Sequence, residues 1–206
     1  MIKPPQSAFV RKFFYWLESK ILFPFYFKKV VIKGVPIKEG HSVLLLQNHL
    51  SWWDGFWGNY LTYHLIKRKY HVMVQEDQLI KQPWLKHKGA FSVRKNSRGM
   101  LESIYFPVHL LKNSQNLVLI FPQGKLQSMH AHEIDIQKGV FRLISQLDRP
   151  CQVIYNAVTI DYLESFKPTV SFNLLDCGDA CAITPKELRE QINVFHEQTL
   201  KNAVRQ

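Results

Sequence analysis

The sequence predicts an α/β fold in a single domain, and three observations lead to this prediction. The length of 206 residues fits one domain and is sufficient for a buried core. The composition, 46% hydrophobic and 21% charged, is typical of a globular chain and not of a disordered one. Short apolar runs alternate along the chain with stretches of helical periodicity, as strands and helices do in α/β proteins.

The first predicted element is an amphipathic helix near the N-terminus. Over residues 8–29, apolar side chains follow helical spacing on one side. The other side carries charged or polar side chains, namely Arg11, Lys12, Glu18 and Ser19. Pro24 is expected to interrupt this helix. Two interpretations remain open: a helix docked on the protein core, and an interfacial helix whose aromatic side lies among lipid acyl chains.

The later elements follow from apolar periodicity and from turn residues. The predicted strands cover residues 30–33, 42–47, 70–74, 91–93, 117–121, 153–160 and 170–175. The predicted helices cover residues 56–67, 97–113 and 139–146, and a last one from Thr184-Pro185 to about Val204, where threonine caps and proline fits the first turn. Pro107 is expected to kink or restart the second helix, and residues 75–84 stay ambiguous because Pro83 limits any helix.

A histidine and an aspartate after the second predicted strand carry the first functional hypothesis. The chain there reads Asn48-His49-Leu50-Ser51-Trp52-Trp53-Asp54. Five helical steps would leave His49 and Asp54 roughly 140° apart, so they can meet only across a turn. A strand that ends at Gln47 and a helix that begins near Asp54 would bring them together. The pair would then be the base and the orienting acid of a catalytic triad, without an obvious serine or cysteine nucleophile. Proximity by chance is the alternative.

Three blocks, in order, resemble the motifs of one known family. Asn48-His49-x-Ser51-x-x-Asp54 is similar to the N-H-x-S-x-x-D motif of the glycerolipid acyltransferase superfamily, of the lysophosphatidate acyltransferase type. Gly89-Ala90-Phe91-Ser92-Val93-Arg94-Lys95 resembles its second block, a glycine and an apolar stretch before an arginine. Phe121-Pro122-Gln123-Gly124 resembles the third block, F-P-E-G-T-R-S, and Lys138-Gly139 matches the pair that follows it. The resemblance covers approximately residues 30–160.

This resemblance implies a fold, an activity and a set of site residues. The fold is a mixed sheet flanked by helices, with the His motif and the arginine block facing a common groove. The activity is transfer of a fatty acyl group from acyl-CoA or acyl carrier protein, without cofactor or metal, to a hydroxyl of a lysophospholipid-like acceptor. His49 would act as general base, oriented by Asp54. The predicted acceptor- or phosphate-binding residues are Arg94, Lys95, Gln123, Gly124 and Lys125, and those expected to support the turn are Asn48 and Ser51.

Departures from the family pattern concern the acceptor. Gln123 stands where the family has glutamate, and Lys125-Leu126-Gln127 replaces threonine-arginine-serine. The fourth block, normally an apolar run that ends in Pro-Val, lacks the proline in residues 153–158. Because the third block holds the glycerol phosphate of the acceptor in this family, a glycolipid, aminolipid or pigment hydroxyl is the alternative acceptor. A non-catalytic basic membrane- or nucleic-acid-binding module and a hydrolase are the other classes considered.

Charge and aromatic content predict an anionic membrane surface as the partner. The net charge of +11 suits both nucleic acid and anionic lipid, but the aromatic residues near the N-terminus and the His motif favour the membrane, so no nucleic-acid partner is expected. Trp52 and Trp53 suit either an acyl entrance or core packing. No apolar stretch reaches the ~20 residues that span a bilayer. We therefore expect a peripheral protein at the cytoplasmic face of the cell membrane, with residues 1–29 as an interfacial helix and 30–206 as the acyltransferase domain.

The cysteines are assigned no metal. The three cysteines, Cys151, Cys177 and Cys181, cannot all form disulfides with one another. A reducing cytosolic compartment is the simplest interpretation of this odd number. Cys177 and Cys181 resemble half of a metal site whose second half is missing, and His196 nearby is expected on a helix surface.

Overall fold

A computed structural model of the chain describes residues 2–4, 7–93 and 97–203. These residues form one sheet of seven strands with helices on both of its faces, which confirms the predicted α/β fold. The strands are β1 (Lys29–Lys33), β2 (Ser42–Gln47), β3 (Lys69–Gln75), β4 (Ala90–Val93), β5 (Asn116–Ile120), β6 (Cys151–Asp161) and β7 (Thr169–Asp179). The helices are α1 (Ala8–Leu17), α2 (Phe23–Tyr26), α3 (Asp54–Leu61), α4 (Glu76–Lys81), α5 (Ser97–Leu111), α6 (Lys138–Ile144) and α7 (Pro185–Ala203).

The sheet is mixed, and β2 lies near its centre. The strand order is β1-β7-β6-β2-β5-β3-β4. Strands β6, β2, β5, β3 and β4 all run parallel to one another, whereas β7 is antiparallel to β6 and parallel to β1. The carboxyl ends of β2, β5 and β6 therefore meet at one edge, which we call the carboxyl edge. Ligands in open α/β sheets bind outside this edge.

The core has two halves, one on each face of the sheet. Leu44 and Leu46 of β2 pack with side chains of α5, α6 and α7. Val43 and Leu45 face the other way and pack with α2 and α3. Because successive side chains of a strand alternate between faces, a fully apolar strand such as β2 requires helices on both sides.

The N-terminal helix continues through Pro24, so the predicted interruption is wrong. A π-helical segment, Glu18–Leu22, joins α1 to α2, and Pro24 lies in the first turn of α2. In a regular α-helix the proline ring would clash with the carbonyl of the residue four positions earlier. The wider π turn directly before Pro24 is a local adjustment of the kind that admits such a residue.

The N-terminal helix turns two charged side chains toward the rest of the domain and exposes three aromatic side chains to solvent. Glu18 is 2% exposed and forms a buried ion pair with Lys88, while Arg11 donates from Nη2 to the carbonyl oxygen of Tyr70 at 3.0 Å. The opposite side exposes Phe9 by 80%, Phe13 by 50% and Trp16 by 52%. The helix is docked on the core, as the first interpretation expected, but through the side that was predicted to be polar.

Four further differences concern the later elements. Helix α5 runs through Pro107 without restarting, and the ambiguous segment 75–84 contains α4 and the start of a 3₁₀ helix, Pro83–Lys88. Strands β6 and β7 are longer than predicted. His196, expected on a helix surface, is 2% exposed and bonds through Nδ1 to the hydroxyl of Tyr155 at 2.9 Å and through Nε2 to the carbonyl oxygen of Ala131 at 2.9 Å. It is buried because α7 packs against β6.

Candidate active site

His49 and Asp54 meet across the turn that follows β2. Nδ1 of His49 lies 2.5 Å from Oδ2 of Asp54. Strand β2 ends at Gln47 and α3 begins at Asp54, as the spacing predicted. The side chain of Asp54 is 1% exposed and that of His49 is 25% exposed, so the imidazole lies between a buried carboxylate and solvent. Within the described chain, Nε2 of His49 has no hydrogen-bond partner.

The carboxylate of Asp54 is held by the backbone of the turn. Oδ2 also accepts hydrogen bonds from the N–H groups of Leu50 at 2.8 Å and Ser51 at 3.0 Å. Burial raises the pKa of Asp54, and the hydrogen bonds from His49, Ser51 and Leu50 oppose that rise. Since an ionised carboxylate only accepts, the neutral imidazole must carry its hydrogen on Nδ1 and its lone pair on Nε2.

Asn48 and Ser51 brace this turn with their side chains. The amide of Asn48 donates from Nδ2 to the carbonyl oxygen of Val158 at 3.0 Å, and Oδ1 accepts from the N–H of Val158 at 2.8 Å. This reciprocal pair extends the contact between β2 and β6 beyond the end of β2. Oγ of Ser51 accepts from the N–H of Trp53 at 3.1 Å, so the hydroxyl is engaged within the turn.

The segment that follows the neighbouring strand β5, which contains the third block, contacts His49. The ring of Phe121 stacks on the imidazole with centroids 4.2 Å apart and an interplanar angle of 15°. Oε1 of Gln123, which is 3% exposed, accepts from the N–H of His49 at 3.1 Å. The N–H of Gln127 donates to the carbonyl oxygen of His49 at 2.8 Å. The ring and both backbone polar groups of His49 are thus held by the segment after β5.

Phe121 and Gln127 are site residues that the sequence analysis did not single out. The motif order carried a signal for them, because blocks that follow two adjacent parallel strands must meet at the carboxyl edge. The sequence did not reveal that β2 and β5 are neighbours in the sheet, since two other strands, β3 and β4, lie between them along the chain.

Of the remaining predicted binding residues, the structure describes Gly124 and Lys125 but not Arg94 and Lys95. Gly124 has φ +66°, in the left-handed region that favours glycine, and its carbonyl oxygen accepts from Nε2 of Gln75 at 3.2 Å. Lys125 is exposed on the same loop. Arg94 and Lys95 lie outside the described residues. Their binding roles stay predictions.

The two tryptophans of the His motif have different environments. Trp52 is 57% exposed, whereas Trp53 is half-buried and packs against Phe27 with ring centroids 5.1 Å apart. Trp53 therefore belongs to the core, and Trp52 lies at the protein surface, where its ring contacts those of Phe56 and Trp84.

A comparison with family models assigns the chain. Residues 29–156 match the model described as Acyltransferase, which is more than half of the 206 residues. The chain belongs to the acyltransferase family. This confirms the resemblance to glycerolipid acyltransferases, and the matched segment includes all three blocks. A comparison with curated proteins gives no match.

Two structural findings bear on metals and on membranes. Among the residues that the structure describes, no three His, Cys, Asp or Glu side chains come together as a metal site, and Cys151, Cys177 and Cys181 are all unpaired thiols. In the same residues, no helix combines the length and the apolar character needed to cross a bilayer.

Proposed function

We propose that this acyltransferase moves a fatty acyl group from acyl-CoA or acyl carrier protein to a hydroxyl of a lysophospholipid-like acceptor, with His49 as the general base. The proposal rests on the 2.5 Å contact between Nδ1 of His49 and Oδ2 of Asp54. A positioned imidazole contributes about 10²–10⁴ in rate, because its pKa lies near neutrality. Asp54 fixes the tautomer with the lone pair on Nε2 and stabilises the imidazolium that forms.

The reaction is a direct transfer. Nε2 takes the proton of the acceptor hydroxyl as its oxygen attacks the thioester carbonyl. The tetrahedral intermediate then expels the thiolate, which recovers the proton from the imidazolium. One observation supports a route without an acyl-enzyme: no serine or cysteine side chain of the described residues hydrogen-bonds to His49.

We place the enzyme at the cytoplasmic face of an anionic membrane as a peripheral protein. Support comes from α1, which turns Arg11 inward and exposes Phe9, Phe13 and Trp16. Large aromatic side chains exposed together on one side of a helix are typical of interfacial helices. The net charge of +11 adds attraction to anionic headgroups.

Lysophosphatidate is the default acceptor, and an acceptor without phosphate is the second candidate. Gln123 stands where the family has glutamate, and one structural observation favours the second candidate. Leu126 is 58% exposed on the same loop, where the family has arginine. Lys125 is the cation that this loop offers to a phosphate, as a point charge without bidentate geometry.

An acyl-transfer assay tests the proposal. Purified protein is incubated with labelled acyl-CoA or acyl carrier protein and with lysophosphatidate, a glycolipid or an aminolipid. His49→Ala should lower kcat/KM by about 10²–10⁴ or more, because the base is lost. His109→Ala, at an exposed position on α5, is the matched control and should change nothing. Turnover by His49→Ala at the wild-type rate would contradict the role of His49, and thioester hydrolysis without transfer to any acceptor would favour a hydrolase.

A further inference from the structure

The turn between β6 and β7 exposes large apolar side chains at the end of the two longest strands. Tyr162 is 61% exposed, Leu163 79% and Phe166 fully exposed. Phe25 and Tyr26 of α2 are 66% and 47% exposed. We call residues 162–168 together with Phe25 and Tyr26 the tip cluster.

The two parts of the tip cluster are fastened to each other. Nζ of Lys167 donates to the carbonyl oxygen of Pro24 at 3.0 Å and lies 5.7 Å from the ring centroid of Phe25. Lys28 forms an ion pair with Glu164 at 3.0 Å, and its N–H donates to the carbonyl oxygen of Pro168 at 2.9 Å. The hairpin and the end of the N-terminal helix therefore present one surface.

This surface lies at the same edge of the sheet as the candidate active site. Asn156 of β6 pairs with Gln47, the last residue of β2, and β6 then continues to Asp161. At about 3.3 Å per residue, the hairpin extends roughly 16 Å beyond the end of β2. The ring of Tyr26 is 5.0 Å from that of Trp53 in the His motif, which connects the tip cluster to the turn that holds His49.

Folding does not account for these side chains. Leu163 has φ +44°, a left-handed conformation that is unfavourable for leucine and that glycine or asparagine would adopt at lower cost. Phe166 buries no area in the protein, so it gains nothing from the hydrophobic effect on folding. The backbone of the turn is partly satisfied from within: the N–H of Ser165 donates to the carbonyl oxygen of Tyr162 at 2.9 Å, and that of Lys167 donates to Oγ of Ser165 at 3.2 Å. Such internal hydrogen bonds lower the free-energy cost of moving the backbone polar groups of the turn out of water.

We infer that the tip cluster inserts into the headgroup–acyl boundary of an anionic phospholipid membrane and holds the carboxyl edge against it. Aromatic rings flanked by lysines are typical of membrane interfaces, where the rings enter and the ammonium groups stay at the headgroups. Lys29 and Lys167 supply this charge, and Lys28 is paired with Glu164. A second copy of the chain fits poorly as occupant, because a stable protein interface takes about 20–30 residues a side and the hairpin tip is a short projection.

Vesicle binding tests this inference, which rests on the proposed membrane association but not on the role of His49. The probe is a vesicle of equimolar phosphatidylcholine and phosphatidylglycerol. The triple variant Tyr162→Ser, Leu163→Asn, Phe166→Ser should bind about ten- to a hundredfold more weakly, since binding scales with the apolar area inserted. Asparagine at 163 accepts the left-handed conformation, and thermal unfolding checks that the variant is folded.

The matched control removes exposed apolar side chains elsewhere. It combines Ile80→Asn, Tyr105→Ser and Val194→Ser, on α4, α5 and α7, where these residues are 63%, 59% and 50% exposed. Its vesicle affinity should equal that of the wild type. An equal loss in both triple variants would overturn the inference, because it would show a nonspecific dependence on surface apolarity.

A local probe gives an independent readout. Phe166→Cys in a Cys181→Ser background carries a polarity-sensitive dye, and Tyr105→Cys in the same background is its control; Cys151 and Cys177 are buried. Vesicles should shift the emission of the dye to the blue at position 166 and not at 105.

Three results would each overturn the inference. These are vesicle binding without this shift, no vesicle binding by the wild type, and a tip variant that dissociates a dimer while keeping its vesicle affinity. His49→Ala should bind vesicles as the wild type does, so a failure of the transfer chemistry alone counts against the proposed function and not against this surface.

Discussion

The buried ion pair between Glu18 and Lys88 fastens the N-terminal helix to the 3₁₀ helix Pro83–Lys88, and its disruption should destabilise the domain. The two side chains are 3% and 4% exposed. Oε2 of Glu18 also accepts from Nδ2 of Asn59 at 2.8 Å, and Nζ of Lys88 lies 3.6 Å from the ring centroid of Phe56. Glu18→Ala would leave the ammonium group of Lys88 among aromatic rings without a counter-charge.

The size of the effect follows from the desolvation of the pair. Removing one partner of a buried ion pair costs about 3–5 kcal/mol, and for a chain of this length each kcal/mol lowers Tm by about 2–4 °C. Glu18→Ala should therefore lower Tm by roughly 6–20 °C.

Burial raises the pKa of Glu18 and lowers the pKa of Lys88, so each charged form is less favourable in the folded chain than in the unfolded one. The intact pair thus adds little net stability, and Glu18→Leu with Lys88→Met should stay within about 2 kcal/mol of the wild type or exceed it.

Thermal and urea unfolding followed by circular dichroism measure these differences. Glu197→Ala is the control, because Glu197 pairs with Lys201 on the exposed surface of α7, and the loss of such a pair should leave the free energy of unfolding nearly unchanged. A loss below about 1 kcal/mol for Glu18→Ala, or a double variant less stable than the single one, would refute the burial argument.

Three other predictions concern the site and the membrane. Asp54→Asn should lower kcat by up to about 10⁴-fold and less than His49→Ala does, because the base remains in a poorly held tautomer; an unchanged kcat would exclude Asp54 as the orienting acid. Gln123→Glu, alone or with Leu126→Arg, should raise kcat/KM for lysophosphatidate relative to an acceptor without phosphate. If the wild type already uses lysophosphatidate efficiently and the ratio does not move, the departures in the third block are neutral. Replacing Phe9, Phe13 and Trp16 with serine should weaken vesicle binding, and added salt should weaken it for every variant by screening the basic surface. Salt-independent vesicle binding would contradict the electrostatic part of this account.

The parts of the fold that were predicted from the sequence are those set by local patterns. The strand, turn and helix over residues 42–61 follow from an apolar run and from the spacing between His49 and Asp54. The lateral order of the strands was not predictable, because pairing between β2 and β6 joins residues more than a hundred positions apart. The same reason explains why Glu18 was assigned to a polar side: its partner, Lys88, belongs to a distant segment that no local pattern reveals. His196 was assigned to the surface on similar grounds, since the hydroxyl of Tyr155 that satisfies it comes from β6.

The contact between Gln123 and His49 gives physical meaning to the altered third block. A glutamate at this position would offer the N–H of His49 the same kind of acceptor as Oε1 of Gln123 does at 3.1 Å, so the substitution preserves how the turn is held. What it removes is a negative charge from a buried position against the His motif. In the proposed reaction, a carboxylate there would stabilise the imidazolium of His49 together with Asp54, whereas with an amide this stabilisation would fall to Asp54 alone. The departure from the family pattern therefore acts on the electrostatics of the site and not on its geometry, so the proposed acceptor without phosphate is compatible with an intact turn between His49 and Asp54.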